Sequence, residues 1–354
     1  MSAMLRYCGR LLAPNWRLLA PGRRSSTECR QAVKVTLIGT CNTTNQTAAL
    51  LLKQNSLISE LSLVSNENTA GIAMDLRHVT TNCAVNNFQG LKELGSAVKD
   101  ADIIVIGVGH LWTVDMPERD IFMLNKGFVR AAANACAVMR PEAIVAVVTC
   151  PINMMVPVVC EMYKSRGVYN PDKIIGMCTL SVVRANALVG HSIFLDPACV
   201  HVPIIGGVSA ESTVPLLSRA QPFAEFPQET VERLTTQIRS AGRDVIALKG
   251  QGATMSRAFA MNRFVLTLAR GLLRMPDTVM TAYVRSSALP HCKYFATQLL
   301  FGAHGVERNF GIPKLTAYEL RLVERAASVI VRDVQDAQRY AAQERKRLES
   351  QATC

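Results

Sequence analysis

The sequence is short of acids, of long apolar runs and of paired cysteine motifs, and each shortage removes a class of protein. Its 354 residues carry 27 Asp and Glu against 39 Lys and Arg, a net charge of +12. Apolar runs such as Ala101 to Val108 fall well below the roughly 20 residues that cross a bilayer, so no membrane span is expected. Eleven cysteines are present, but no two are spaced C-x-x-C and their neighbours are ordinary strand and helix residues. They read as reduced core thiols, which excludes a disulfide framework and agrees with a reducing, intracellular compartment. Internal repeats and low-complexity tracts are also missing, so collagen-like and disordered chains are excluded. What is present, 49% hydrophobic residues over this length, suffices for one large or two medium domains with proper cores.

Much of the positive charge lies outside any core. Residues 1–30 hold Arg6, Arg10, Arg17, Arg23, Arg24 and Arg30 against one acid, Glu28, so they supply +5 of the +12 and leave +7 for the remainder. An Arg-rich, acid-poor segment broken by Pro14 and Pro21 reads as a mitochondrial transit peptide, and the expected address is the matrix. The residual charge and the basic stretch Arg339, Arg345, Lys346, Arg347 raise RNA as a partner. Glu344 and Glu349 interleave there, as on a solvated helical face, and no aromatic-and-glycine RNA signature accompanies them, so RNA is not favoured.

Val33 to Gly39, V-K-V-T-L-I-G, is a β-branched run ending on glycine, and Gln46 to Lys53 follows with apolar residues at helical spacing. A strand, a turn and a helix are predicted. Leu61 to Val64, Ile103 to Val108 and Ile144 to Thr149 repeat the pattern with helical stretches between them. Strands that do not alternate polar and apolar residues are buried on both faces, so an α/β fold with a parallel sheet between helices is expected. After Pro151 the rhythm changes to helices near Met154 to Ser165 and Leu180 to His191, a strand-like Val200 to Ile205 and long helices at Thr254 to Arg274 and from Ala317 onward. The expected division is a nucleotide-type domain at 31–176, an α+β domain at 177–335 and the charged end of the last helix at 336–354.

Six ordered segments carry a family resemblance. They are G-I-A-M-D-L-R-H-V (Gly71 to Val79), P-I-N (Pro151 to Asn153), G-V-Y-N-P-D-K-I-I-G (Gly167 to Gly176), T-L-S-V-V-R-A-N (Thr179 to Asn186), V-P-I-I-G-G (Val202 to Gly207) and G-V-E-R-N-F-G-I (Gly305 to Ile312). From Val33 to about Arg332 the chain resembles the lactate/malate dehydrogenase family, in its mitochondrial malate branch. The resemblance implies a Rossmann-type doubly wound parallel sheet that binds NAD, followed by an α+β substrate domain, with a cleft between them. It also implies a dimer, because the helix bearing Asp75 and His78 resembles the family's subunit-interface helix.

In that family, malate loses a hydride from C2 while a histidine, held by an aspartate, takes the hydroxyl proton. The histidine follows the I-G-G turn, where this chain has Val208, and the aspartate sits in T-L-D-x-x-R, where it has Ser181. The resemblance therefore implies no catalytic group at either position. Three family arginines grip the substrate carboxylates, because a planar guanidinium matches a carboxylate with two parallel hydrogen bonds. Arg184 matches one of them. The other two fall at Trp112 and Glu118, and the substrate-contacting asparagine before P-x-N falls at Cys150. A glutamate repels a dicarboxylate at close range, and Arg119, one residue along, points about 100° away on a helix.

The family's cofactor turn, G-x-x-G-x-x-G, lets the backbone and a helix N-terminus approach the pyrophosphate. Here it reads Gly39-Thr40-Cys41-Asn42-Thr43-Thr44-Asn45-Gln46, which places side chains at Asn42 and Asn45 where phosphate belongs. The ribose-binding acid after the second strand becomes Ser65. The family's cofactor positions that remain are Gly39, Gln46, Asn125 and Asn153, and NAD binding is expected to be weak or absent. Gln46 and Asn153 would serve equally as a first-turn residue and a cap. No metal site is expected, and of six histidines only His110 lies on the active-site loop.

Losing a general base costs about 10²–10⁴ in rate, and each lost carboxylate clamp costs about 1.5–3 kcal/mol. The favoured expectation is a non-catalytic mitochondrial paralogue with a structural or regulatory role. It would act as a homodimer, as a heterodimer with a family member, or in a larger mitochondrial assembly. The alternative is an active NAD-dependent malate or other 2-hydroxy-acid dehydrogenase of changed specificity. There Trp112 would favour a bulky apolar side chain, Arg184 would hold the C1 carboxylate, and His110 or water would move the proton.

Overall fold

The Val33–Ile38 run (β1) shows almost no polar side chain to water and needs cover on both faces and both edges. In the computed structural model, which describes residues 32–352, it lies between two parallel neighbours, Ile58–Ser65 (β2) and Ile103–Ile106 (β4). Ala84–Gln89 (β3) extends the sheet beyond β2, and Ile144–Val147 (β5) and Ile174–Met177 (β6) extend it beyond β4, all parallel. The helices Thr43–Lys53 (α1), Ala70–Arg77 (α2), Gly90–Val98 (α3), Glu118–Met139 (α4) and Ile152–Ser165 (α5) alternate with these strands. The order β3-β2-β1-β4-β5-β6 is the expected doubly wound sheet, and its strand order, though not its strand direction, reverses between β1 and β4. Helix α1 starts three residues before the sequence-based expectation because Asn42 caps it, its side chain accepting from Asn45 N.

The sheet continues past the parallel half. Strand β6, which contains the expected boundary residue Gly176, pairs antiparallel with Val279–Leu289, and that strand pairs with Cys292–Gly302. Beyond them in chain order come Thr179–Ser192 (α6), Ile204–Gly206 (β7), Thr213–Pro215 (β8), Gln228–Lys249 (α7) and Met255–Leu272 (α8), then the two long strands (β9 and β10), Gly305–Asn309 (β11) and Ala317–Ala352 (α9). Periodicity marked the helices well, but it missed β3, β6 and β9 to β11. The partly exposed β9 to β11 draw much of their stability from cross-strand pairing rather than from their own composition. Helix α9 begins with a capping box: Thr316 N donates to Glu319 Oε2 at 2.9 Å and Glu319 N to Thr316 Oγ1 at 3.2 Å.

A large core threads both halves, and a smaller cluster around Val182, Ala185, Ile204, Leu234 and Ile238 seals α6 and α7. The expectation of core thiols needs a correction. Cys83, Cys136, Cys160, Cys178 and Cys292 are buried and free, but Cys41 and Cys199 are exposed and Cys150 is half-buried. Burial pushes the Cys136 thiol up to about 12, which makes it inert. On α9 the basic residues pair with acids one turn away, Arg339 with Asp336 at 2.6 Å and Arg347 with Glu344 at 3.2 Å. The expected transit peptide lies outside the described residues. No helix among the described residues is long and apolar enough to cross a membrane.

Gly176 is where α5 presses closest on the sheet. A Cβ there would sit 2.7 Å from the γ-methyls of Ile152 and Val156 and 3.1 Å from the Tyr283 carbonyl. Gly176→Ala is expected to destabilise the protein by about 1–3 kcal/mol, read as a lower urea midpoint with an unchanged slope. An unchanged midpoint would show that α5 yields there.

Candidate functional site

Open α/β sheets offer their ligand crevice at the carboxyl ends of the strands, where the winding reverses. Here that place lies between Gly39, after β1, and Gly107, after β4. Gly39 holds φ +103, which only glycine adopts readily, and a Cβ on it would meet the Gly107 carbonyl oxygen at 2.6 Å. The turn keeps its course although Asn42 has an ordinary φ of −90, so no left-handed asparagine is needed. Asn45 is buried, and its Nδ2 donates to the Gly39 carbonyl at 2.7 Å and to the Gly107 carbonyl at 2.9 Å. Asn42 Nδ2 donates to the Gly39 carbonyl at 3.1 Å, while its Oδ1 accepts from Asn45 N at 2.9 Å. The two asparagines thus bind the turn's own backbone and use an amide that would otherwise face an anion. Gln46 also folds back, its Nε2 reaching the Thr40 and Cys41 carbonyls at 3.3 and 3.2 Å. Ser65 is buried, its Oγ accepting from Glu67 N at 3.2 Å.

The loop after β4 is tied down from both sides. Asn125, fully buried on α4, accepts from His110 N at 2.7 Å and donates to the His110 and Cys150 carbonyls at 3.3 and 3.1 Å. Trp112 turns inward, its indole N–H donating to the Met116 carbonyl at 2.5 Å, while its own carbonyl accepts from Gly252 N at 2.7 Å. His110 is exposed and packs edge-on against Phe128, with ring centroids 6.1 Å apart.

Ser181 and Arg184 stand one turn apart on α6. Arg184 is half-buried with its guanidinium near Gly242 of α7. Burial draws its proton affinity down, and Arg257 nearby adds to this, against the pull of Cys150 and Asp244. Val208 follows β7 and packs on the core, its N–H donating to Asn153 Oδ1 at 2.9 Å. Asn153 spends its Nδ2 on Ser212 Oγ at 3.1 Å and on Asp333 Oδ2, from α9, at 3.0 Å. Glu118 starts α4 beside Asp333 and Glu211, and its carboxyl is pushed up to about 7 by burial first and by those two carboxylates next.

One residue here escaped the sequence reading. Arg257, in the first turn of α8, lies in the same crevice as Asn45, His110 and Cys150, and its guanidinium donates to the Val148 carbonyl at the end of β5. A cation in a helix's first turn opposes the helix dipole, and that misplaced charge is the signal that could have found it. Between these groups the open space is about 20 Å3, room for roughly one water.

The chain belongs to the lactate/malate dehydrogenase family: residues 33–176 match its NAD binding domain and residues 178–340 its alpha/beta C-terminal domain. It is 38% identical to the mitochondrial malate dehydrogenases of Bos taurus and Homo sapiens over 307 residues, 86% of this chain and 90% of each of theirs. In fold it is similar to the malate dehydrogenase of Cryptosporidium parvum, with a TM-score of 0.76 at 20% identity over 87% of this chain and 99% of that one. The lactate dehydrogenase of Eimeria maxima gives 0.75 at 19% over 91% and 98%.

The Glu118 environment makes stability depend on pH. A carboxyl whose proton is held more tightly when folded favours the folded state at low pH, so stability falls as pH rises from about 4.5 to about 7. Glu118→Gln is expected to flatten that slope and raise stability at pH 8 by roughly 1–3 kcal/mol, measured by thermal unfolding across pH. An undiminished slope would move its origin elsewhere.

Proposed function

We propose that this chain is a mitochondrial member of the family that has kept the fold and given up the reaction, acting through association with other proteins in the matrix. The observation that carries the reading is the occupied reversal point of the sheet, where Asn45 bridges the Gly39 and Gly107 carbonyls. The family's NAD is elongated, and its doubly charged pyrophosphate needs free N–H groups and bare glycines at this turn. The residues present do not fit it: Asn42 caps the helix from within and Arg257 lies across the inner end of the crevice. The remaining 20 Å3 contrasts with the roughly 300–1,000 Å3 of ordinary ligand pockets.

The proton-transfer positions support the same reading. Val208 carries no lone pair to accept a proton, and the Ser181 hydroxyl lacks the charge that would hold an imidazolium. Glu118 places acid character where a dicarboxylate substrate would need a cation. Gly39, Gln46, Asn125 and Asn153 persist as structure, since each is engaged by the chain's own backbone or side chains. Arg184 remains as the one inherited cation of the substrate arm. The proposed division is a Rossmann half at 31–176, an α+β half at 177–335 and the helix end at 336–354, with residues 1–30 as the matrix address. The proposed partner is a second copy of the chain or a catalytic relative, alone or within a larger mitochondrial assembly.

Oxaloacetate-dependent NADH oxidation by the purified chain is expected to stay at the rate without enzyme, and calorimetric titration with millimolar NADH to give no heat. Robust turnover of oxaloacetate would return the protein to the active dehydrogenases. Asn42→Gly/Asn45→Gly reopens the turn and is expected to strengthen NADH binding about tenfold or more. Affinity purification from mitochondrial extract is expected to recover a stoichiometric partner, and a lone homodimer would count against the assembly role.

A further inference from the structure

A second cavity, of about 590 Å3, lies between α3, α4, α5 and the stretch 338–345 of α9, and it shares no lining residue with the crevice. Short side chains make it: α4 presents Ala131 and Ala135, and α9 presents Ala341 and Ala342, none of which reaches across the gap. Leu94 and Val158, both buried, supply apolar lining. The wall formed by residues 341–345 lies beyond residue 340, where the family match ends, so this part of the cavity is not covered by that match.

The charged groups around it are unevenly satisfied. Glu161 is held by Lys164 at 2.7 Å, and Glu344 by Arg347 at 3.2 Å and Arg130 at 3.6 Å. Arg166 has only a neutral acceptor, Asn134 Oδ1, at 2.9 Å from Nε and 2.6 Å from its terminal nitrogen. Arg130 Nε is buried with no hydrogen-bond acceptor. A buried donor without an acceptor is unfavourable, and it leaves the Arg130 charge short of one hydrogen bond at the cavity wall. The volume lies inside the roughly 300–1,000 Å3 of small-molecule sites. A docked helix about 10 Å wide would fill the same space with only about one and a half turns.

We infer that this cavity binds a single-chain aliphatic carboxylate, with its chain along Leu94, Val158 and Met162 and its head group on Arg166 and Arg130. The guanidinium edge of Arg166 that Asn134 leaves free supplies charged donors to the carboxylate, and the apolar lining removes the chain from water. This inference is independent of the reading given for the crevice.

The test is calorimetric titration of the full chain with decanoate below its micelle-forming concentration, with decyltrimethylammonium as the cationic counterpart. Saturable one-site binding of decanoate alone is expected, weakened about tenfold or more by Arg166→Gln, which removes the head-group charge. Ala342→Trp, on an exposed face of α9 and therefore compatible with folding, is expected to block the chain's channel with a similar loss. Three results would overturn the inference: no saturable binding, equal binding of the cationic probe, or full binding by both variants. Binding of an amphipathic helical peptide without binding of decanoate would also overturn it and assign the cavity to a protein partner.

Discussion

The carboxamide of Asn45, bonded to two carbonyls across the reversal point of the sheet, is the contact on which the rest of the cleft depends. A doubly wound sheet leaves a crevice between β1 and β4 as a matter of topology, and the crevice walls carry backbone carbonyls that need donors. Asn45 supplies them from within the chain, and Gly107 leaves just enough room, since a Cβ there would lie 2.7 Å from the asparagine's nitrogen. Asn42 completes the turn by capping α1. A segment that could serve as an anion cradle is thereby a closed structural joint.

The same economy runs through the second arm. Asn153 links the backbone after β7 to Asp333 on α9 and to Ser212, so the inherited P-I-N segment ties together three parts of the chain distant in sequence. Asn125 does likewise for the loop after β4. Each of these asparagines has hydrogen-bonding capacity that could serve a ligand, and the structure spends it on the protein itself. Satisfied polar networks of this kind rigidify what they join. Trp112 adds to that stiffness by pairing the loop with the segment ahead of α8.

How far the site could be read without coordinates depends on the kind of residue. Val208 and Ser181 were legible as the positions where the resemblance expects the histidine and the aspartate, because each stands in a run of matching residues. Arg184 was legible as the position matching a family arginine, but its neighbours Gly242 and Arg257 were not. Arg257 was invisible because a single arginine in a helix reads as surface until the fold turns its face inward. Glu118 was recognisable as a misplaced acid, yet its raised proton affinity comes first from burial and next from Asp333 and Glu211, residues 215 and 93 positions away. The strands β9 to β11 were missed for the related reason that their pairing is not local.

The sequence by itself determined the parallel sheet, because buried β-branched runs between amphipathic helices have one economical arrangement. It also determined the family, since that rests on ordered runs of residues present in the chain. Only the tertiary structure decided what the substituted residues do. Whether Asn42 and Asn45 project into a ligand's space or fold onto their own turn, and whether α9 encloses a cavity or closes one, depend on distances between groups far apart in the chain. Hydrogen bonds and packing act over a few ångströms of space rather than along the sequence, so no local pattern fixes them in advance.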